Sequence, residues 1–302
     1  MPDVTPTPDD IVQPFLIEDT GFRGRLIRLG PTVDEIVSRH DYPAPVAALL
    51  AEFLALTVAL GAALKYDGVF SLQTKGDGPV KMMLADVTSE GELRGYASVD
   101  GDLPSVEAIA EAPVPRLLGA GHLAFTVDQG AHTDLYQGIV EIQGATLIEC
   151  VHHYFRQSEQ FSAAVKIAAG RSDDRSWRAG ALMLQRLPGE EGGLIEEDPE
   201  DAWRRATILM SACHSEELTD PGLGPHDLLY RLFHEDGVRV FRTRPVTFAC
   251  RCSRERAARI LAAMSSSDLD DFKIDGKIVV TCEFCNSAEA FDDQALGLLQ
   301  AS

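Results

Sequence analysis

Six cysteines carry the reactive chemistry of this chain: Cys150, Cys213, Cys250, Cys252, Cys282 and Cys285. The last four form two tight pairs, Cys250-Arg-Cys252 and Cys282-Glu-Phe-Cys285, with 29 residues between the pairs. Zinc takes four tetrahedral ligands and binds thiolate sulfur at about 2.3 Å. Two close pairs supply such a set economically, because each pair wraps one side of the ion. Unrelated core cysteines would not come in pairs this tight. A zinc site at Cys250, Cys252, Cys282 and Cys285 is therefore expected, with one zinc per reduced chain. Thiolate is also the form that oxidants attack, and oxidation to disulfides would remove the ligands. Spacing alone leaves two uses open: a permanent structural zinc, the commoner one, and a redox switch.

The other chemically capable residues read more plainly. Cys150 and Cys213 are solitary and expected to be buried thiols, although Cys213 lies where the chain looks least stable. His152 and His153 are adjacent, so their side chains diverge and cannot easily share a metal. Lys75-Gly-Asp-Gly-Pro79 is glycine-rich and follows a strand pattern, but it lacks the spacing of a phosphate-binding loop and opens no helix, so a hairpin turn is expected. No chemistry is assigned to Ser158-Glu159-Gln160 beyond a hydrogen bond at a helix end. Four thiolates leave no open position on zinc for hydrolysis, and no nucleophile–base–orienter set is visible. The chain does not read as an enzyme.

The elements that must position the cysteines form an α+β pattern. Strands are expected around Gly21 and Gly24, followed by an Ala/Leu-rich helix entered through Pro43 and Pro45. Hairpins are expected from Gly68 to Val99, strands over Gly121 to Val127 and Tyr136 to Ile142, and a helix from Thr146 through Ser158. A further helix is expected around Trp177 to Leu187, closed by Pro188-Gly189. Residues 1–189 thus read as an antiparallel-sheet domain with helices. Glu190 to Asp201 then holds seven acids in twelve residues and no base. Two short apolar-patterned helices follow, Trp203 to Cys213 and Leu228 to Phe233, separated by Pro221-Gly-Leu-Gly-Pro225. Short helices depend on docking, so residues 190–245 read as a marginally stable, acidic, helical linker. Residues 246–302 form a small C-terminal zinc domain, with a helix over Arg254 to Ala263 and a turn at Asp275-Gly276 into a strand.

The chain has 302 residues, with 27 basic against 47 acidic, a net charge of −20. That charge repels phosphate backbones, and the zinc domain carries six bases against nine acids. A zinc ribbon binding nucleic acid through a purely structural zinc is the alternative reading, and the charge disfavours it. The first twenty residues have neither a basic start nor an apolar stretch, so no signal peptide is expected. Val46 to Leu64 is apolar, but Glu52 lies within it, which favours a buried helix over a membrane span. A cytoplasmic protein without a membrane partner is expected.

Residues 246–291, from Val-Thr-Phe-Ala-Cys-Arg-Cys-Ser-Arg-Glu-Arg through Cys-Glu-Phe-Cys, resemble the C-terminal redox domain of the bacterial heat shock protein 33 family, the oxidation-activated holdase chaperones. Upstream runs match in order: Thr74-Lys-Gly-Asp-Gly-Pro79, Arg94-Gly-Tyr96, Tyr136-Gln-Gly-Ile-Val140, Tyr154-Phe-Arg-Gln-Ser-Glu-Gln160, Gln185-Arg-Leu-Pro188 and Leu228-Leu-Tyr-Arg-Leu-Phe-His-Glu235. The resemblance implies an ATP-independent chaperone whose reduced, zinc-bound form is an inactive monomer. It implies that oxidation forms the disulfides Cys250–Cys252 and Cys282–Cys285, releases zinc, unfolds the linker and yields a dimer that binds unfolding client proteins. It also implies that residues 1–189 are the chaperone core. One departure concerns packing: Glu289 stands where the family often has an aromatic residue, and Phe291 follows two positions later.

Overall fold

Strands β1 (Ile11–Ile17) and β2 (Phe22–Leu29) form a hairpin closed at Gly21, whose φ of +70° suits a residue without a Cβ. The chain continues through α1 (Pro31–Ser38), the long α2 (Ala44–Ala63), and the meander β3 (Val69–Gly76), β4 (Val80–Thr88) and β5 (Glu92–Val99). Next come α3 (Val106–Glu111), α4 (Pro113–Leu117), β6 (Gly121–Asp128), β7 (Tyr136–Glu141), α5 (Leu147–Gln157), β8 (Ser162–Arg171) and β9 (Trp177–Arg186). Helices α6 (Pro199–Ser211), α7 (Ser215–Thr219) and α8 (Pro225–Phe233) lead to the short strands β10 (Val238–Val240), β11 (Arg244–Pro245) and β12 (Thr247–Phe248). The computed structural model describes residues 9–130, 135–157, 162–186 and 198–292. It divides into two compact units, Met1–Phe248 and Ala249–Ser302.

The first unit contains two sheets. One runs β10-β1-β2-β9-β8, with β11 also pairing β1; the other runs β12-β5-β4-β3-β6-β7. Among the described residues of these sheets every pairing is antiparallel except β12 on β5. Helix α2 lies between the sheets, and Leu50, Phe53, Leu54 and Val58 join residues of both in one core. This helix is long and apolar enough to cross a membrane by length and composition, yet 78% of that stretch is buried inside the fold. Its carboxylate, Glu52, is half-buried, and loss of solvent pushes it up to about 7. The Lys75–Pro79 segment is the turn between β3 and β4, where Asp77 Oδ1 accepts the Ala120 amide at 2.8 Å.

The helix expected over Trp177–Leu187 is instead strand β9, with Leu187, Pro188 and Gly189 outside the described residues. Ala, Leu, Met, Gln and Arg favour helix intrinsically. Burial overrides that preference, because β9 is paired on both edges, by β2 and β8, and covered on both faces. A strand buried on both faces has no polar alternation to betray it. Strand β8 and helix α1 were likewise not expected from the sequence.

The second face of the β1–β2–β9–β8 sheet carries Phe15, Ile17, Phe22, Leu26, Leu182 and Leu184. Helices α6, α7 and α8 cover it with Ala206, Met210, Leu218, Leu228, Leu229 and Phe233. Phe233 stacks on Phe15 with ring centroids 5.7 Å apart. Two buried arginines fasten the turn between α7 and α8. Arg28, 1% exposed, donates to the carbonyls of Asp220 and Leu223, the latter at 3.0 Å. Arg178 donates to the Thr219 carbonyl at 2.6 Å and to Asp9 at 2.5 Å. The helices expected over Trp203–Cys213 and Leu228–Phe233 are therefore present and docked. Residues 190–197 of the acidic run lie outside the described residues.

Candidate metal centre

The second unit is small, so its backbone is organised by turns and caps as much as by a core. Cys252 directly precedes Ser253, whose side chain caps α9 (Arg254–Ala262) by accepting the Arg256 amide at 3.2 Å. After α10 (Ser266–Asp271), strands β13 (Lys277–Thr281) and β14 (Ala288–Asp292) form a hairpin. The hairpin turn holds the second pair. The Asn286 amide donates to the Cys282 carbonyl at 2.8 Å, and the Cys282 amide donates to the Ser287 carbonyl at 2.9 Å. Asn286 adopts φ +56°, a left-handed conformation that asparagine tolerates better than most residues. One pair thus sits at a helix start and the other in a tight turn.

These elements bring all four expected sulfurs together, every one within 4.8 Å of the others. Cys250 Sγ lies 3.6 Å from Cys282 Sγ, and Cys252 Sγ lies 3.4 Å from Cys285 Sγ. A regular tetrahedron with metal–sulfur bonds of about 2.3 Å has edges of about 3.8 Å. The cluster therefore fits a tetrahedral four-thiolate zinc site. Its electrostatics agree with a bound cation. Desolvation, with hydrogen bonds among the crowded sulfurs, raises the Cys250 and Cys252 thiols above their ordinary values. Burial also acts upward on Cys285, but hydrogen bonds from the Ser287 side chain and amide, and from the neighbouring thiols, bring it down to about 6. Four thiolates in this space need compensating positive charge, which a divalent ion supplies. Cys252 is exposed, Cys250 and Cys282 are half-buried and Cys285 is buried, so small oxidants can reach the cluster.

Among the described residues the buried apolar core of this unit is slight: Ala257, Leu261, Leu269, Ile278 and Phe291. Phe291 is 2% exposed, and the Arg254 guanidinium lies 4.4 Å from its ring centre. Glu289 accepts from Arg254 at 2.9 Å, and the same Arg254 nitrogen donates to the Ala290 carbonyl at 3.1 Å. At the departure noted in the sequence, a charged pair and Phe291 thus supply the packing. Sequence reasoning missed this arginine, along with Ser287 beside Cys285 Sγ at 3.3 Å.

The other cysteines stand apart. Cys150 is buried in the core around α2, and Cys213 lies under the helices covering the first sheet; desolvation raises each to about 11. His152 is held down by desolvation, and its Nε2 accepts the Val165 amide at 3.4 Å, a packing role. Ser158, Glu159 and Gln160 lie outside the described residues.

Comparison with known proteins agrees along nearly the whole chain. The Hsp33 protein family matches residues 10–292. The 33 kDa chaperonin of Caulobacter vibrioides is 40% identical over 94% of this chain and 95% of its own. That of Pseudomonas fluorescens is 36% identical over 96% of this chain and 93% of its own. The fold is also that of a crystal structure of the 33 kDa chaperonin, a heat shock protein 33 homolog, from Thermotoga maritima. That match has a TM-score of 0.83 at 24% identity, covering 97% of this chain and 98% of the other. With its four-cysteine cluster, its sheets and its matched length, the chain belongs to the Hsp33 family.

Proposed function

We propose that this protein is a redox-regulated, ATP-independent holdase chaperone, held inactive by zinc on Cys250, Cys252, Cys282 and Cys285 and activated when those thiolates are oxidised. The observation that carries this reading is the four-sulfur cluster in a unit whose buried apolar core, among the described residues, is five side chains. Bound zinc, one per reduced chain, supplies the positive charge and the cross-link that such a unit needs. In the oxidised form Cys250 joins Cys252 and Cys282 joins Cys285. Each new S–S bond passes two electrons to the oxidant, and disulfide sulfurs no longer offer thiolate ligands. The unit then loses the interaction that folds it.

The functional parts on this reading are a chaperone core (1–189), a metastable linker (190–245) and a redox domain (246–302). Linker helices α6–α8 cover an apolar sheet face, and their short length makes them depend on docking. Their release would uncover Phe15, Phe22, Leu26 and Leu184 as client-binding surface. The strongly acidic surface would keep the opened protein soluble. Partners are unfolding proteins and, after oxidation, a second copy of this chain, in the cytoplasm.

The test is light scattering from an unrelated, heat-denatured client. Oxidised, zinc-free protein is expected to suppress aggregation at near-stoichiometric amounts without ATP, and reduced, zinc-loaded protein to leave it unchanged. Equal suppression by both forms would remove the switch, and suppression by neither would remove the chaperone.

A further inference from the structure

We propose that Ser287 is a positioning residue of the redox site, whose hydroxyl hydrogen-bonds the Cys285 thiolate and slows its attack on a hydroperoxide. This inference rests on the switch reading above and concerns what sets the threshold of that switch. Ser287 Oγ lies 3.3 Å from Cys285 Sγ. A neutral thiol can donate to that oxygen, but the thiolate that binds metal has no proton, so the hydroxyl turns and donates to sulfur. The Ser287 amide reaches the same sulfur. The hairpin turn fixes the backbone that carries both donors. The Ser287 carbonyl accepts the Cys282 amide at 2.9 Å, and the Cys282 carbonyl accepts the Asn286 amide at 2.8 Å. Ser287 is itself exposed and lies outside the apolar core of the unit, so a change of its side chain removes a donor without opening a cavity.

Burial decides what this hydroxyl is worth. Cys285 is 6% exposed, so water does not readily replace a donor lost there. A covered charge depends on protein donors, and hydrogen bonds to an ionised group are about twice as strong as neutral ones. The step that the bond opposes is specific. With hydrogen peroxide, Cys285 sulfur bonds to one oxygen, the O–O bond breaks and hydroxide leaves, giving a sulfenic acid. The Cys282 thiolate then attacks that sulfur, the S–S bond forms and a second hydroxide leaves. Two electrons have passed from the thiolates to the peroxide. The lone pair that starts this sequence is the one the Ser287 hydroxyl holds. A hydrogen bond that weakens as the S–O bond forms stabilises the ground state more than the transition state, and so slows the attack.

Ser287→Val and Ser287→Thr have the same shape and differ by the hydroxyl, so together they separate hydrogen bonding from simple shielding. Reduced, zinc-loaded, full-length proteins are mixed with excess hydrogen peroxide, and zinc release is followed with a chromophoric chelator. Ser287→Val is expected to release zinc at least threefold faster than wild type, and Ser287→Thr at the wild-type rate. In cobalt-loaded protein the thiolate-to-metal charge-transfer band should move to longer wavelength in Ser287→Val and stay in place in Ser287→Thr. A purely structural role would not move that band. Should Ser287→Val fail to hold metal, Ser287→Ala is expected to show the same faster release and the same band shift. Equal release from the valine and threonine variants, or a wild-type rate and band without the hydroxyl, would overturn the proposal. Wild-type protein that takes up no zinc, or keeps it under peroxide, would instead remove the switch reading, and this inference with it.

Discussion

Reduced Cys282→Ser protein is expected to lose zinc, unfold residues 249–292 and loosen the linker helices, while the core around α2 stays folded. The five buried apolar side chains among the described residues of this unit are too few to hold it against its conformational entropy. Metal binding to structural four-ligand sites contributes on the order of 10–16 kcal/mol of folding free energy, so losing one thiolate removes most of what keeps the unit folded. The core around α2 is separate and contains none of the four ligands. Circular dichroism and a chromophoric zinc assay would read the two effects, and an aggregation assay would read the consequence. Partial holdase activity without oxidant is expected. Cys150→Ala, a change at a thiol far from the cluster in sequence and in a different core, should leave the redox response intact. A Cys282→Ser protein that unfolds its C-terminal unit yet suppresses aggregation no better than reduced wild type would mean that the disulfides, rather than metal loss, carry the signal.

Phe233→Ala is expected to activate by a different route, with zinc still bound. Phe233 is 0% exposed, stacks on Phe15, and packs with Leu228, Leu229 and Leu232 on the face that α6–α8 cover. Truncating a buried phenylalanine costs about 3–5 kcal/mol. Here that cost falls on linker docking, because the residue belongs to the core beneath α6–α8 and not to the core around α2. The buried Arg28 and Arg178 would still hold the α7–α8 turn, so the opening should be partial. The expected outcome is full zinc content, reduced thiols and measurable aggregation suppression at a temperature where wild type has none. A variant that opens its linker by hydrogen exchange yet stays inactive would show that the uncovered sheet face does not bind clients.

The metal centre was legible because its signal is local: two tight cysteine pairs with room between them for a helix and a hairpin. The hairpins of β3–β5 were equally legible, since turn residues such as Lys75-Gly-Asp-Gly-Pro79 interrupt alternating strands. Strand β9 was not, because a strand buried on both faces reads as a run of helix-favouring apolar residues until its neighbours are known. The same cause hid Arg178, which lies inside that strand. Arg28 carries no local signal of burial, and only the docked helices α7 and α8, whose turn it fastens, explain why it is buried. Glu289 illustrates the converse case. As sequence it left the packing of the zinc unit open, and the structure closes the question with Arg254 and Phe291.

The central claim is that oxidation at the cysteine cluster is transmitted to the linker, and hydrogen exchange measured on reduced and oxidised protein tests it most directly. Residues 203–235 should lose protection on oxidation, because their helices depend on docking, while residues 70–100, in the sheet beneath α2, should keep theirs. Loss of protection confined to residues 249–292, with the linker unchanged, would contradict the account.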